Sequence, residues 1–94
     1  MRITDVRIRK LFHDGILRAV ASVALDGVFV VHDVKVLFIN GRTLVAMPNR
    51  KSEEGYRDVA HPIVPELRAE LEKAVLSAYE AALAEDRQEG SSSL

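Results

Sequence analysis

The sequence predicts a small α+β domain, an antiparallel β-sheet followed by one long C-terminal helix. Three observations carry that prediction. The first half alternates apolar and polar residues with the period of two that marks a half-buried strand. Asp14-Gly15, Asp26-Gly27 and Asn40-Gly41 punctuate it at hairpin spacing. The last third carries a single apolar stripe at spacings of three and four, the mark of an amphipathic helix.

The first strand is expected over Ile3 to Leu11, where Val6 and Ile8 share one face and Arg7 and Arg9 the other. His13-Asp14-Gly15 breaks the pattern as a turn. From Leu17 to Leu25, the set Leu17, Ala19, Ala21, Val23 and Leu25 forms one face. Val28 to Ile39 is a long β-branched and aromatic run. Val28, Val30, Val34, Val36 and Phe38 share one parity with His32; Phe29, Val31, Leu37 and Ile39 share the other with Asp33 and Lys35. Both parities are largely apolar, so both faces are expected to be covered, one by the helix. The polar middle, His32 and Asp33 with Lys35, marks a bend or an exposed centre. Asn40-Gly41 predicts a type I′ turn into a strand over Thr43 to Met47.

Pro48 ends that strand, because proline cannot donate to a ladder. Asn49 to Gly55 reads as a polar surface loop and Tyr56 to Ala60 as a short strand. Pro65 suits the first turn of a helix, where its missing N–H costs nothing, and Glu66 complements the positive end of the helix dipole. The helix is expected from about Pro65 to Arg87, with Leu67, Leu71, Val75, Ala78, Tyr79 and Ala82 on its buried stripe. One domain over residues 1–88 and a disordered tail over 89–94, rich in Gly and Ser, complete the organisation.

Composition narrows the function. The 94 residues contain no cysteine, which excludes disulfides and thiolate zinc sites. A chain this short has a modest core, and with no disulfide to supplement it a second subunit is the natural supplement. The basic N-terminus has no apolar run behind it, and no stretch is long enough to span a bilayer, so a cytoplasmic protein with no membrane contact is expected. The net charge of −1 hides a polarity: residues 1–51 hold nine Lys/Arg against four Asp/Glu, and residues 52–94 hold four against ten. A basic first half and an acidic second half suggest a polarised surface, against the plainer reading of two differently solvated elements.

Catalysis is not expected. His13, His32 and His61 have no metal-motif spacing. A set of His32, Asp33, Asp58 and His61 is conceivable if strands gather it, but structural histidine is the simpler reading. There is no nucleophile elbow and no glycine-rich phosphate loop. No cofactor, metal or small-molecule substrate is implied. The basic residues say more: Arg50 and Lys51 stand in an exposed segment, Arg57 follows, and Arg42 lies at the preceding hairpin, where cations can reach phosphates without a pocket. Glu53 and Glu54 stand beside them, and the plainer alternative is a balanced, solvated loop.

The opening Ile3-Thr4-Asp5-Val6-Arg7-Ile8-Arg9-Lys10, then Asp14-Gly15 and Phe29-Val30-Val31-His32-Asp33-Val34-Lys35-Val36, resembles the start of the bacterial SpoVG family, stage V sporulation protein G. Leu44-Val45-Ala46-Met47-Pro48-Asn49-Arg50-Lys51 and Gly55-Tyr56-Arg57-Asp58-Val59-Ala60-His61-Pro62-Ile63 resemble that family's signature stretch, and the resemblance covers about residues 1–83. It implies a cytoplasmic regulator that dimerises by joining sheets and binds DNA and RNA, with a basic pair after Met-Pro that falls here on Arg50 and Lys51. Arg57 is the next expected contact, and Arg7, Arg9, Arg18 and Arg42 are secondary ones. The chain departs from the family's pattern in reading Arg-Lys where Lys-Arg is usual, and in a shorter segment, Ser52-Glu53-Glu54-Gly55, where Pro-Asp-Gly is common. A protein–protein adaptor using the sheet edge and the acidic helix is the competing expectation.

Overall fold

The computed structural model describes the backbone of residues 1–92 and the side chains of residues 1–86. Four strands, β1 (Ile3–Leu11), β2 (Leu17–Leu25), β3 (Phe29–Ile39) and β4 (Arg42–Ala46), form an antiparallel sheet in the order β1-β2-β3-β4. β5 (Asn49–Ser52) and β6 (Gly55–Asp58) form a separate two-stranded hairpin, and α1 (Pro65–Ser92) follows. The fold class is the α+β expected.

The turn chemistry explains the meander. Asp26 and Gly27 both have positive φ, 52° and 68°, as do Asn40 and Gly41, 52° and 77°. These are the left-handed conformations of a type I′ turn, whose twist matches that of the strands it joins. The β1–β2 connection is held differently. Arg18 donates from Nε to the Gly15 carbonyl (2.9 Å) and from Nη1 to the His13 carbonyl (3.2 Å). Its guanidinium also lies 4.8 Å from the centre of the Phe38 ring, within cation–π range.

One face of the sheet packs on α1. Ala19, Ala21, Val23 and Leu25 from β2 and Val34 and Val36 from β3 meet Leu71, Val75 and Tyr79 from the helix, with Met47 closing one end. Val23, Val34, Val36 and Val75 are the largest side chains with no exposure, each worth about 1.5–3 kcal/mol in burial. Small alanines on β2 let the helix approach, and its stripe is widened by Leu76 and Leu83. His13 Nε2 reaches Asp86 Oδ2 at 2.9 Å, tying the β1–β2 connection to the far part of the helix.

The parity expected for β3 is corrected by a β-bulge. Val23 pairs with Val31 and Ala21 with Val34, so His32 and Asp33 together oppose Ser22 alone. The extra residue shifts the alternation by one. Val31, Val34 and Val36 therefore all serve the helix-covered core, and neither parity set runs unbroken along the strand. Asp33 takes φ 61° at this bulge. The bend expected from the polar middle of the run is this feature. Bulges between Ile3 and Asp5 and between Ile8 and Lys10 act likewise on β1 and keep Ile3, Val6, Ile8 and Leu11 against the core. Among the described residues no element covers the second face of the sheet, and Val30 is 47% exposed.

Two boundaries also differ. Asn49 to Gly55 is not a loop: its two ends pair as β5 and β6. The helix runs to Ser92, past Arg87, and residues 93–94 of the expected tail lie outside the described residues.

Candidate nucleic-acid interface

The β5–β6 hairpin contains the residues singled out from sequence. Pairing is antiparallel, Asn49 with Asp58, Arg50 with Arg57, Lys51 with Tyr56 and Ser52 with Gly55. Local contacts explain why so polar a segment pairs at all. Ser52 Oγ donates to the Gly55 carbonyl at 2.9 Å, and Gly55 adopts φ 119°, a region closed to other residues without strain. Asn49 Nδ2 donates to the Met47 carbonyl at 3.1 Å, and Val59 N–H donates to the Pro48 carbonyl at 2.6 Å, anchoring the base. From Arg50 to Asp58 every side chain is exposed.

Pairing sets the geometry of the two cations. Successive residues on a strand point to opposite faces, so Arg50 and Lys51 do not act side by side. Arg50 instead lies across from Arg57, on one face of the hairpin. Like charges directly opposite destabilise a ladder, and only Arg57 has a partner, Glu54 Oε2. Arg50 and Lys51 form no salt bridge among the described residues. On the other face Lys51 lies across from Tyr56, which is 73% exposed. Sequence reasoning did not set Tyr56 beside a cation, because only the hairpin register does so.

The secondary cations divide. Arg18 is engaged with the 13–15 backbone and Phe38. Arg7 pairs with Asp5 at 3.1 Å. Arg9 donates from Nε to Ser22 Oγ at 3.2 Å, and Arg42 is exposed at the start of β4. Among the described residues no three His, Asp or Glu side chains stand close enough together to hold a metal ion. His61 lies apart, its Nδ1 3.1 Å from the Pro62 carbonyl.

Comparison with known proteins fits this architecture. Residues 1–81 match the SpoVG family. The chain belongs to the SpoVG family. It is 53% identical over 83 residues to the septation protein SpoVG of Lachnospira eligens, covering 87% of this chain and 94% of that one. Identity to the protein of the same name from Clostridioides difficile is 51% over 84 residues, 88% and 91% of the two chains. For septation protein SpoVG 1 of Listeria monocytogenes it is 47% over 83 residues, 87% and 81%. As a family member the chain spans the four-stranded sheet, the hairpin and most of the helix within the matched region. No helix of the described residues is long and apolar enough to cross a membrane.

Proposed function

We propose that this SpoVG-family chain is a non-catalytic regulatory protein of the bacterial cytoplasm that binds nucleic acid as a homodimer. The observation that carries the reading is the hairpin, a two-stranded projection with Arg50 and Arg57 opposed on one face and Lys51 beside exposed Tyr56 on the other. A like-charge pair is tolerated there because nothing is buried, and an anionic partner would relieve it. Guanidinium and ammonium groups supply sequence-independent phosphate affinity. A tyrosine beside a lysine offers a base a stacking surface, which favours single strands. Relatives are named for septation, and a part in septation is consistent with a regulator of this kind.

A second copy would double the hairpins and raise affinity through effective concentration. Exposed Val28, Phe29, Val30 and Val59, together with the free edge of β4, support that pairing. The same surface favours the adaptor reading, in which a different protein adds at the sheet edge. Titration of labelled single-stranded RNA and duplex DNA at several salt concentrations tests the proposal, with sedimentation run alongside. Steeply salt-dependent binding by a dimer supports it; a monomer at micromolar concentration, or binding only to protein partners, overturns it.

A further inference from the structure

The open face of the sheet contains a second polar site. Cross-strand register places Lys10, Val20 and Lys35 in one row over β1, β2 and β3. The next row along β2 is Ser22, with Arg9 hydrogen-bonded to it from β1 and the His32–Asp33 bulge facing it on β3. The result is a trough of about 280 Å³, floored by Val20 and Ser22 and walled by Arg9 and Lys10 on one side and His32, Asp33 and Lys35 on the other. Three permanent cations face one carboxylate. None of the three forms a salt bridge among the described residues.

Two features single the trough out on the open face. Among the described residues Ser22 is the one buried polar side chain, 5% exposed, where the neighbouring β2 positions are alanine and valine. Its Oγ accepts from Arg9 Nε at 3.2 Å and lies 2.8 Å from His32 Nδ1. Arginine can only donate, and the serine hydroxyl either donates to Nδ1 or accepts from it according to the His32 tautomer. One hydroxyl thus orients a guanidinium and an imidazole. The bulge is the second feature. It holds a non-glycine residue, Asp33, in the left-handed region, a cost that bulges near functional sites commonly accept to re-aim a side chain.

We infer that this trough binds a phosphate group, gripped by Arg9, Lys10 and Lys35 and receiving a hydrogen bond from His32, with Ser22 as the positioning residue. The chemistry is common to free phosphate and to the phosphodiester of a nucleic acid. The site is separate from the hairpin and does not depend on the hairpin's role.

The test is a nuclear magnetic resonance titration of the full chain, once with inorganic phosphate and once with an oligothymidylate. Both are repeated in the Arg50→Ala/Lys51→Ala background to remove the hairpin. Saturable shifts at Arg9, Lys10, Ser22, His32 and Lys35 with either probe support the inference. Tighter saturation with the oligonucleotide identifies a phosphodiester site, and saturation by phosphate alone identifies a free-anion site. The double variant Lys10→Ala/Lys35→Ala, at one exposed and one half-buried lysine, should weaken the interaction about tenfold or more, the scale of charge-assisted hydrogen bonds. Ser22→Ala should weaken it less and should also change the tautomer balance of the His32 ring nitrogens, which a merely structural serine would not do. Shifts that never saturate with either probe, or concentration-dependent protection of this face by a second copy that excludes both, overturn it.

Discussion

The sheet–helix body and the β5–β6 hairpin obey opposite rules. In the body, Val23, Val34, Val36 and Val75 are wholly buried, and charge is kept off the helix-covered face. In the hairpin, from Arg50 to Asp58 nothing is buried and two guanidiniums face each other across the ladder. The body therefore carries the stability of the chain, and the hairpin is free to carry charge that a core could not hold. Side chains in the hairpin are constrained by register rather than by packing. That is enough to aim them, while leaving them open to a partner.

This contrast can be broken most forcefully in the core. Val75→Ala removes two methyl groups from a fully buried site and should cost about 2 kcal/mol, lowering the melting temperature by roughly 10 °C in thermal unfolding. Hairpin substitutions from Arg50 to Asp58, Gly55 with its positive φ apart, should stay within about 0.5 kcal/mol. A hairpin variant that destabilises the chain as much as Val75→Ala would show that the two regions are not independent. Next in size is the β3–β4 turn. Gly41→Ala meets no steric obstacle but must adopt φ 77°, so it should cost about 1 kcal/mol through backbone strain alone.

Within the hairpin the effects fall on binding. Tyr56→Ala should weaken single-stranded ligands by about five- to 150-fold, the scale of about 1–3 kcal/mol for a stacked base, and leave duplex DNA nearly unchanged. Equal losses for both ligands would remove the stacking role. Glu54→Gln releases Arg57 and should strengthen binding slightly, most visibly at low salt, where screening is weakest. An unchanged affinity at low salt would mean that Arg57 does not face the ligand.

Much of the body was legible because local chemistry and long-range pairing agree there. Asp26-Gly27 and Asn40-Gly41 announce their turns through their tolerance of positive φ, and Pro65 and the Leu67-Leu71-Val75 spacing announce the helix. The bulge at His32 and Asp33 was only half legible. Polar residues marked the place, but a run apolar on both parities cannot reveal where the alternation shifts. A short strand was expected over Tyr56 to Ala60, and β6 spans Gly55–Asp58, but its partner β5 was hidden for a different reason: a fully exposed hairpin has no apolar period to read. Arg50 and Lys51 were therefore found as exposed cations, while the register that sets Arg50 across from Arg57 was not legible. The Arg9–Ser22–His32 connection joins residues from three strands and appears only once register is known.

The central claim is that the hairpin cations carry nucleic-acid affinity without carrying stability. Its most direct test is the slope of log K against log salt for the parent and for Arg50→Ala/Lys51→Ala, with single-stranded RNA and duplex DNA, alongside the melting temperature. The account predicts weaker binding to both ligands, a slope flatter by about one unit for each phosphate no longer neutralised, and an unchanged melting temperature. Parental affinity and an unaltered slope in the double variant would contradict it and move the search to Arg9, Lys10 and Lys35 on the open face.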